Sequence, residues 1–246
     1  MGEEKRSKKE LIELRHNQEQ NMWEKEEQKK KLYIRGGVVI GVLLILLLGW
    51  WAVIESMKPA APLPGKEFAD LGADHIENIA GFTYSSNPPT SGSHFVVWAK
   101  RGVYPYEISD GHLLHALEHG YIVISYNCGD LAQPVESLTY DAVNPLTKTT
   151  FGKESTMAFF TPENVPKKVT ELSESFSSKE CQTLVKDLSS FLDDWQRVIV
   201  VPRPNLDSKI ALTAWRRMEK LQAVDKEKIT TFISSFHNAG PEKTVE

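Results

Sequence analysis

The sequence predicts a single α+β domain, a small mixed sheet with flanking helices, preceded by one transmembrane helix. Three observations carry this. Residues Gly36 to Ile54 run for 19 positions without a charge. As a helix at about 1.5 Å per residue, that run matches the hydrocarbon core of a bilayer. Beyond it, strand-like apolar runs at Gly120–Asn127, Val198–Val201 and Ile210–Trp215 interleave with helical periodicity at 179–197 and 225–236. No regular βαβ repeat links them, which favours an α+β arrangement.

Residues 1–35 are rich in Glu, Lys and Gln. They read as a solvated helix or a disordered tail, with a helix that binds a cytoplasmic protein partner as the functional alternative. They hold ten Lys and Arg, against two in the 15 residues after the span. The positive-inside rule therefore puts the N-terminus in the cytoplasm and the C-terminal domain outside, at the cell membrane. Tyr33, Trp50 and Trp51 lie at the ends of the run, where amphipathic rings favour the interface of the lipid bilayer. The run at 36–54 is long for a signal-peptide core and begins late, so it reads as a retained anchor. Cleavage near Ala60 and Ala61 is the alternative. Residues 55–65 carry Pro59, Pro62 and Pro64 and read as an extended linker. Ten basic against eight acidic residues give the first 35 positions +2, leaving −6 for the rest of a chain of net charge −4. A mildly acidic outer domain has no electrostatic footprint for nucleic acid. Cys128 and Cys181 both fall outside the cytoplasm, where a disulfide, a buried free thiol and a metal ligand are all open readings.

Within the domain at 66–242, chemistry concentrates between Asn87 and Gly120. Asn87-Pro-Pro-Thr-Ser-Gly-Ser-His94 is too rich in Pro and Gly for a helix and predicts a rigid irregular loop that presents His94. Ser109 to Gly120 predicts a short helix, capped by Ser109 or Asp110 and ended by Gly120. At about 100° per residue, His112, His115 and His119 share a stripe about 60° wide, with Leu113, Leu114 and Leu117 opposite. Imidazoles at i and i+4 can chelate one ion. The bland reading is a polar helix face that happens to use histidine. Three histidines on one face plus His94 on a fixed loop favour a metal site built on His94, His115 and His119.

His115-Ala-Leu-Glu-His119 also fits the His-x-x-Glu-His signature, in which Glu118 would be a general base on zinc. The known inverzincin fold is much larger than this domain, so the sequence favours binding over catalysis. Met218, close after Trp215, adds a sulfur candidate, though methionine commonly fills core gaps. Histidine with methionine suits copper, and histidine with carboxylate suits zinc; the methionine tips the sequence reading slightly to copper.

The chain resembles domain of unknown function 3105, a bacterial and archaeal family. The likeness rests on Asp70-Leu-Gly-Ala-Asp-His75-Ile, Tyr84-x-x-Asn87-Pro-Pro-Thr-Ser-Gly-x-His94, Trp98 with Gly102-Val-Tyr104, His115-x-Leu-Glu-His-Gly120, Leu212-Thr-Ala-Trp215 and Gly240-Pro-Glu242. It implies a membrane-tethered or secreted domain with this histidine constellation, and no particular activity. Ser93 stands where the family pattern has proline, and His112 lies outside the pattern. Three function classes follow: a metal-binding module, a metal-dependent hydrolase or oxidoreductase using Glu118, and a metal-free interaction domain.

Overall fold

A computed structural model describes residues 2–58, 62–132, 134, 138–139, 159–164 and 171–244. The chain divides into two compact units, Met1–Pro62 and Leu63–Glu246. The first is one helix, α1 (Gly2–Ser56), which runs without a break through the charged segment and the apolar run. Its apolar part is long enough to cross a membrane, and its side chains there are exposed, as a lipid-facing helix requires.

The second unit is α+β, as the sequence predicts. Among the described residues it holds ten short strands and four α-helices: β1 (Lys66–Glu67), β2 (Thr83–Tyr84), β3 (Trp98–Ala99), β4 (Gly102–Val103), α2 (Asp110–Glu118), β5 (Ile122–Tyr126), β6 (Leu138–Thr139), β7 (Phe159–Phe160), α3 (Lys179–Ser189), α4 (Phe191–Asp194), β8 (Val198–Pro202), β9 (Ile210–Ala214), β10 (Arg217–Leu221) and α5 (Lys226–Phe236). Six strands form one mixed sheet in the order β1-β10-β9-β5-β8-β4. The first four are antiparallel neighbours, and β8 lies parallel to both β5 and β4.

Central strands read as unbroken apolar runs because both faces of the sheet are covered. Ile122, Ile124, Val198, Val200, Ile210 and Leu212 point to one face, against Leu188, Phe191, Ile229 and Phe232 of α3, α4 and α5. Val123, Ile199 and Val201 point to the other, against Leu113, Leu114 and Leu117 of α2. Each such side chain, fully buried, contributes roughly 1.5–3 kcal/mol. Cys128 and Cys181 form a disulfide that joins the end of β5 to α3.

One expectation needs correction. The helix expected over 179–197 stops at Ser189. Ser189 Oγ and Ser190 Oγ donate to the carbonyls of Lys186 and Asp187 at 2.8 and 2.7 Å, which competes with helix continuation. After α4 the chain is extended at Trp195, and Arg197 N–H donates to His237 Nε2 at 3.1 Å. The strand expected over Ile210–Trp215 is β9, after which the chain turns back. Arg216 takes φ +63°, and β10 pairs Arg217 with Ala214. The sequence also favours a strand over Thr156–Thr161, of which residues 159–161 are described and Phe159–Phe160 form β7.

Candidate functional site

α2 is capped as its sequence demands. Ser109 Oγ accepts from Gly111 N–H at 3.4 Å, and Gly120 takes φ +78° to end the helix. Its histidine face is not open. Every residue of α2 is buried, because the segment 94–98 lies across that face. The close approach needs Gly111: a Cβ there would stand 2.6 Å from the Phe95 ring.

The overlying segment directs the imidazoles. His115 Nδ1 lies 2.7 Å from the Phe95 carbonyl, His112 Nδ1 faces the Val97 carbonyl, and His94 Nδ1 lies 2.8 Å from the Gly92 carbonyl. A carbonyl only accepts, so each Nδ1 carries the proton. In the neutral ring, Nε2 is then a lone pair. The Nε2 atoms of His94 and His115 point into one cluster, whereas the His112 ring packs between Phe95 and Phe160. His112, on the same helix stripe by spacing, is a core residue.

The Pro-Gly loop is rigid because it is buried and fully tied. Ser86 Oγ donates to the Pro88 carbonyl at 2.8 Å, Tyr84 OH to the Ser93 carbonyl at 2.7 Å, and Arg216 N–H to the Thr90 carbonyl at 2.9 Å. Gly92 takes φ +122°, where a Cβ would press on the Phe82 and Tyr84 rings. Arg203, at the end of β8, clasps loop and helix together. It reaches both Asp110 oxygens at 2.5 and 2.8 Å and Asn87 Oδ1 at 3.0 Å.

Six donor residues result, in two overlapping sets. His75, His94, His115 and Glu118 lie with their ligand atoms within 4.8 Å of one another, as do His115, Glu118, His119 and Glu242. His94 Nε2 stands 3.0 Å from Glu118 Oε2, His115 Nε2 stands 3.1 Å from His119 Nε2, and His119 Nε2 stands 3.2 Å from Glu242 Oε2. Neither set contains both His94 and His119; His115 is common to both. Met218 is placed elsewhere. It lines a cavity with Gly65, Phe68, Asn87 and Lys220, and no histidine lines that cavity.

Spacing alone missed His75 and Glu242. His75 reaches the cluster through a two-residue parallel bridge, with Ile76 N–H donating to the His94 carbonyl and His94 N–H to that of Asp74. Glu242 arrives on the C-terminal tail, whose Glu242 N–H donates to the Glu118 carbonyl at 3.1 Å. A signal for both existed in the family motifs at 70–76 and 240–242.

The family model described as "Protein of unknown function (DUF3105)" matches residues 75–174 and 157–246. The chain belongs to this family. All six donors of this DUF3105 protein stand at motif positions: His75, His94, His115, Glu118, His119 and Glu242. Comparison with curated proteins and with solved structures gives no match.

Electrostatics within the DUF3105 cluster follow from burial. Loss of water around His115, reinforced by His94, His119 and His75, pushes its pKa down to about 3 against the opposing bond to Phe95. Burial alone would raise Glu118, but the hydrogen bond with His94 and the charge of that ring hold it below the ordinary carboxylate range. The arrangement thus sets imidazole nitrogens, that of His115 held neutral by burial, beside a carboxylate, the residue types of a transition-metal site.

Proposed function

We propose that this DUF3105 protein is a membrane-anchored, extracytoplasmic metal-binding protein, with His94, His115 and Glu118 as the centre of the site and His75 at its open edge. The carrying observation is the 3.0 Å approach of His94 Nε2 to Glu118 Oε2 while His94 Nδ1 is committed to the Gly92 carbonyl. A neutral ring and a carboxylate are both acceptors and call for a cation between them; the competing state is an imidazolium that donates Nε2–H to Glu118. Tetrahedral zinc with bonds of about 2.1 Å sets neighbouring ligand atoms about 3.4 Å apart. The contacts of 3.0–3.8 Å among His94, His75 and Glu118 bracket that value.

Three imidazoles with a carboxylate and no sulfur suit zinc, with copper(II) as the competing ion. The sulfur argument for copper weakens with Met218 in another cavity. In this reading Glu118 is a ligand, not the general base of a His-x-x-Glu-His hydrolase. The excess of Lys and Arg before the span and the Cys128–Cys181 disulfide support placement outside the cytoplasm.

The test is elemental analysis of the full chain, purified in detergent without a polyhistidine tag after incubation with zinc or copper(II) and dialysis. At least one ion per chain is expected, falling at least tenfold in affinity in His94→Ala and His115→Ala. A metal-free wild-type protein under both ions would replace this reading with an imidazolium–carboxylate network of purely structural role.

A further inference from the structure

The donor geometry points to a second ion, and we propose that the site is dinuclear with Glu118 as the bridging carboxylate. This rests on the metal-binding reading above. Ligands of one ion with bonds of about 2.1 Å cannot stand more than about 4.2 Å apart. The six donors separate into two sets that share only His115 and Glu118. His115 has one nitrogen to give, since its Nδ1 is held by the Phe95 carbonyl. It can serve one ion. Glu118 has two oxygens and can serve two. With both ions bound, His115 passes from the His94 set to the second ion: one ion takes His75, His94 and a Glu118 oxygen, and the other His115, His119, Glu242 and the second Glu118 oxygen. Each ion then has two imidazoles and at least one carboxylate. Carboxylate-bridged pairs of this kind hold their ions about 3.5–4 Å apart.

The second half of the site is built with as much structure as the first. His115 Nε2 and His119 Nε2 face each other at 3.1 Å, one helical turn apart. The tail that carries Glu242 is fastened on both sides. Gly240 fits against the end of α2 only because it lacks a Cβ, which would stand 2.0 Å from the Glu118 carbonyl oxygen. Arg197 donates to the His119 carbonyl and, at 2.7 Å, to the Thr244 carbonyl. These ties set a half-exposed carboxylate 3.2 Å from a buried imidazole.

Equilibrium dialysis of the full chain in detergent against zinc(II), with elemental analysis, reads the stoichiometry directly. Two ions per chain are expected in the wild type and one in both Glu242→Gln and His119→Ala. Glu242→Gln keeps the backbone bond to Glu118 and changes a half-exposed side chain, so it preserves the fold if His119→Ala does not. Loaded with copper(II), the wild type should show a spin-coupled pair by electron paramagnetic resonance, and Glu242→Gln an isolated ion. One zinc per chain in the wild type overturns the dinuclear assignment and leaves the metal-binding reading standing. No zinc overturns both. Two zinc ions that survive both substitutions, or two uncoupled copper ions, place the second ion elsewhere and also overturn it.

Discussion

Arg203→Ala should destabilise the domain by about 3–5 kcal/mol, the range for removing one partner of a buried ion pair. The magnitude follows from what is left behind. Arg203 and Asp110 side chains are 9% and 5% exposed, and the guanidinium makes two bonds to Asp110 and one to Asn87. Bonds to charged groups contribute about 1.5–3 kcal/mol each, and the abandoned Asp110 carboxylate has no route to water. For a unit of this size the loss lowers the melting temperature by roughly 10 °C. Arg203→Lys should recover little, since one ammonium cannot form the planar two-pronged contact. The double variant Arg203→Met with Asp110→Leu should cost less than Arg203→Ala alone, because no buried charge is orphaned. Thermal and urea unfolding of the full chain in detergent measure all three. A loss below 1 kcal/mol for Arg203→Ala, or a double variant worse than the single, would refute the clasp as the tie between loop and helix.

Two further effects follow from covalent and proton linkage. Replacing Cys128 and Cys181 together by Ser opens a loop of sequence separation 53 and should cost about 4 kcal/mol by chain entropy, read as the gap between melting curves with and without the bond; overlapping curves would contradict it. Burial raises Glu107 from 4.5 to about 7, with Arg203 opposing and Asp110 adding to the rise. The folded state therefore holds a proton that the unfolded state has lost, so the stability this group allows is full below pH 4.5 and lost as pH climbs to about 7. Glu107→Gln should flatten that part of the stability–pH curve and gain about 2 kcal/mol at pH 8, after discount for partial solvent contact. An unchanged slope would remove Glu107 as its source.

Sequence period reached the sheet where burial on both faces leaves a continuous apolar run, as in β5 and β8. It did not reach β10, whose Arg-Met-Glu-Lys-Leu sequence buries only Met218 and Leu221. The helix at 110–118 was legible from its caps and its leucines. The cover over its histidine face was not, because backbone carbonyls from 95 and 97 do that work and carbonyls leave no mark in a sequence. His94, His115 and His119 were legible by residue type and spacing, and Glu118 only as the base of a His-x-x-Glu-His string. His75 and Glu242 enter through contacts between distant segments, 75 with 94 and 242 with 118, and no local pattern encodes those.

The C-terminal tail docked on α2 sets an order of assembly. The donors run from residue 75 to residue 242, and the last arrives only when Gly240 slots against Glu118. The full set of six donors comes together only once residue 242 has docked, so any ion that needs both sets waits on that contact.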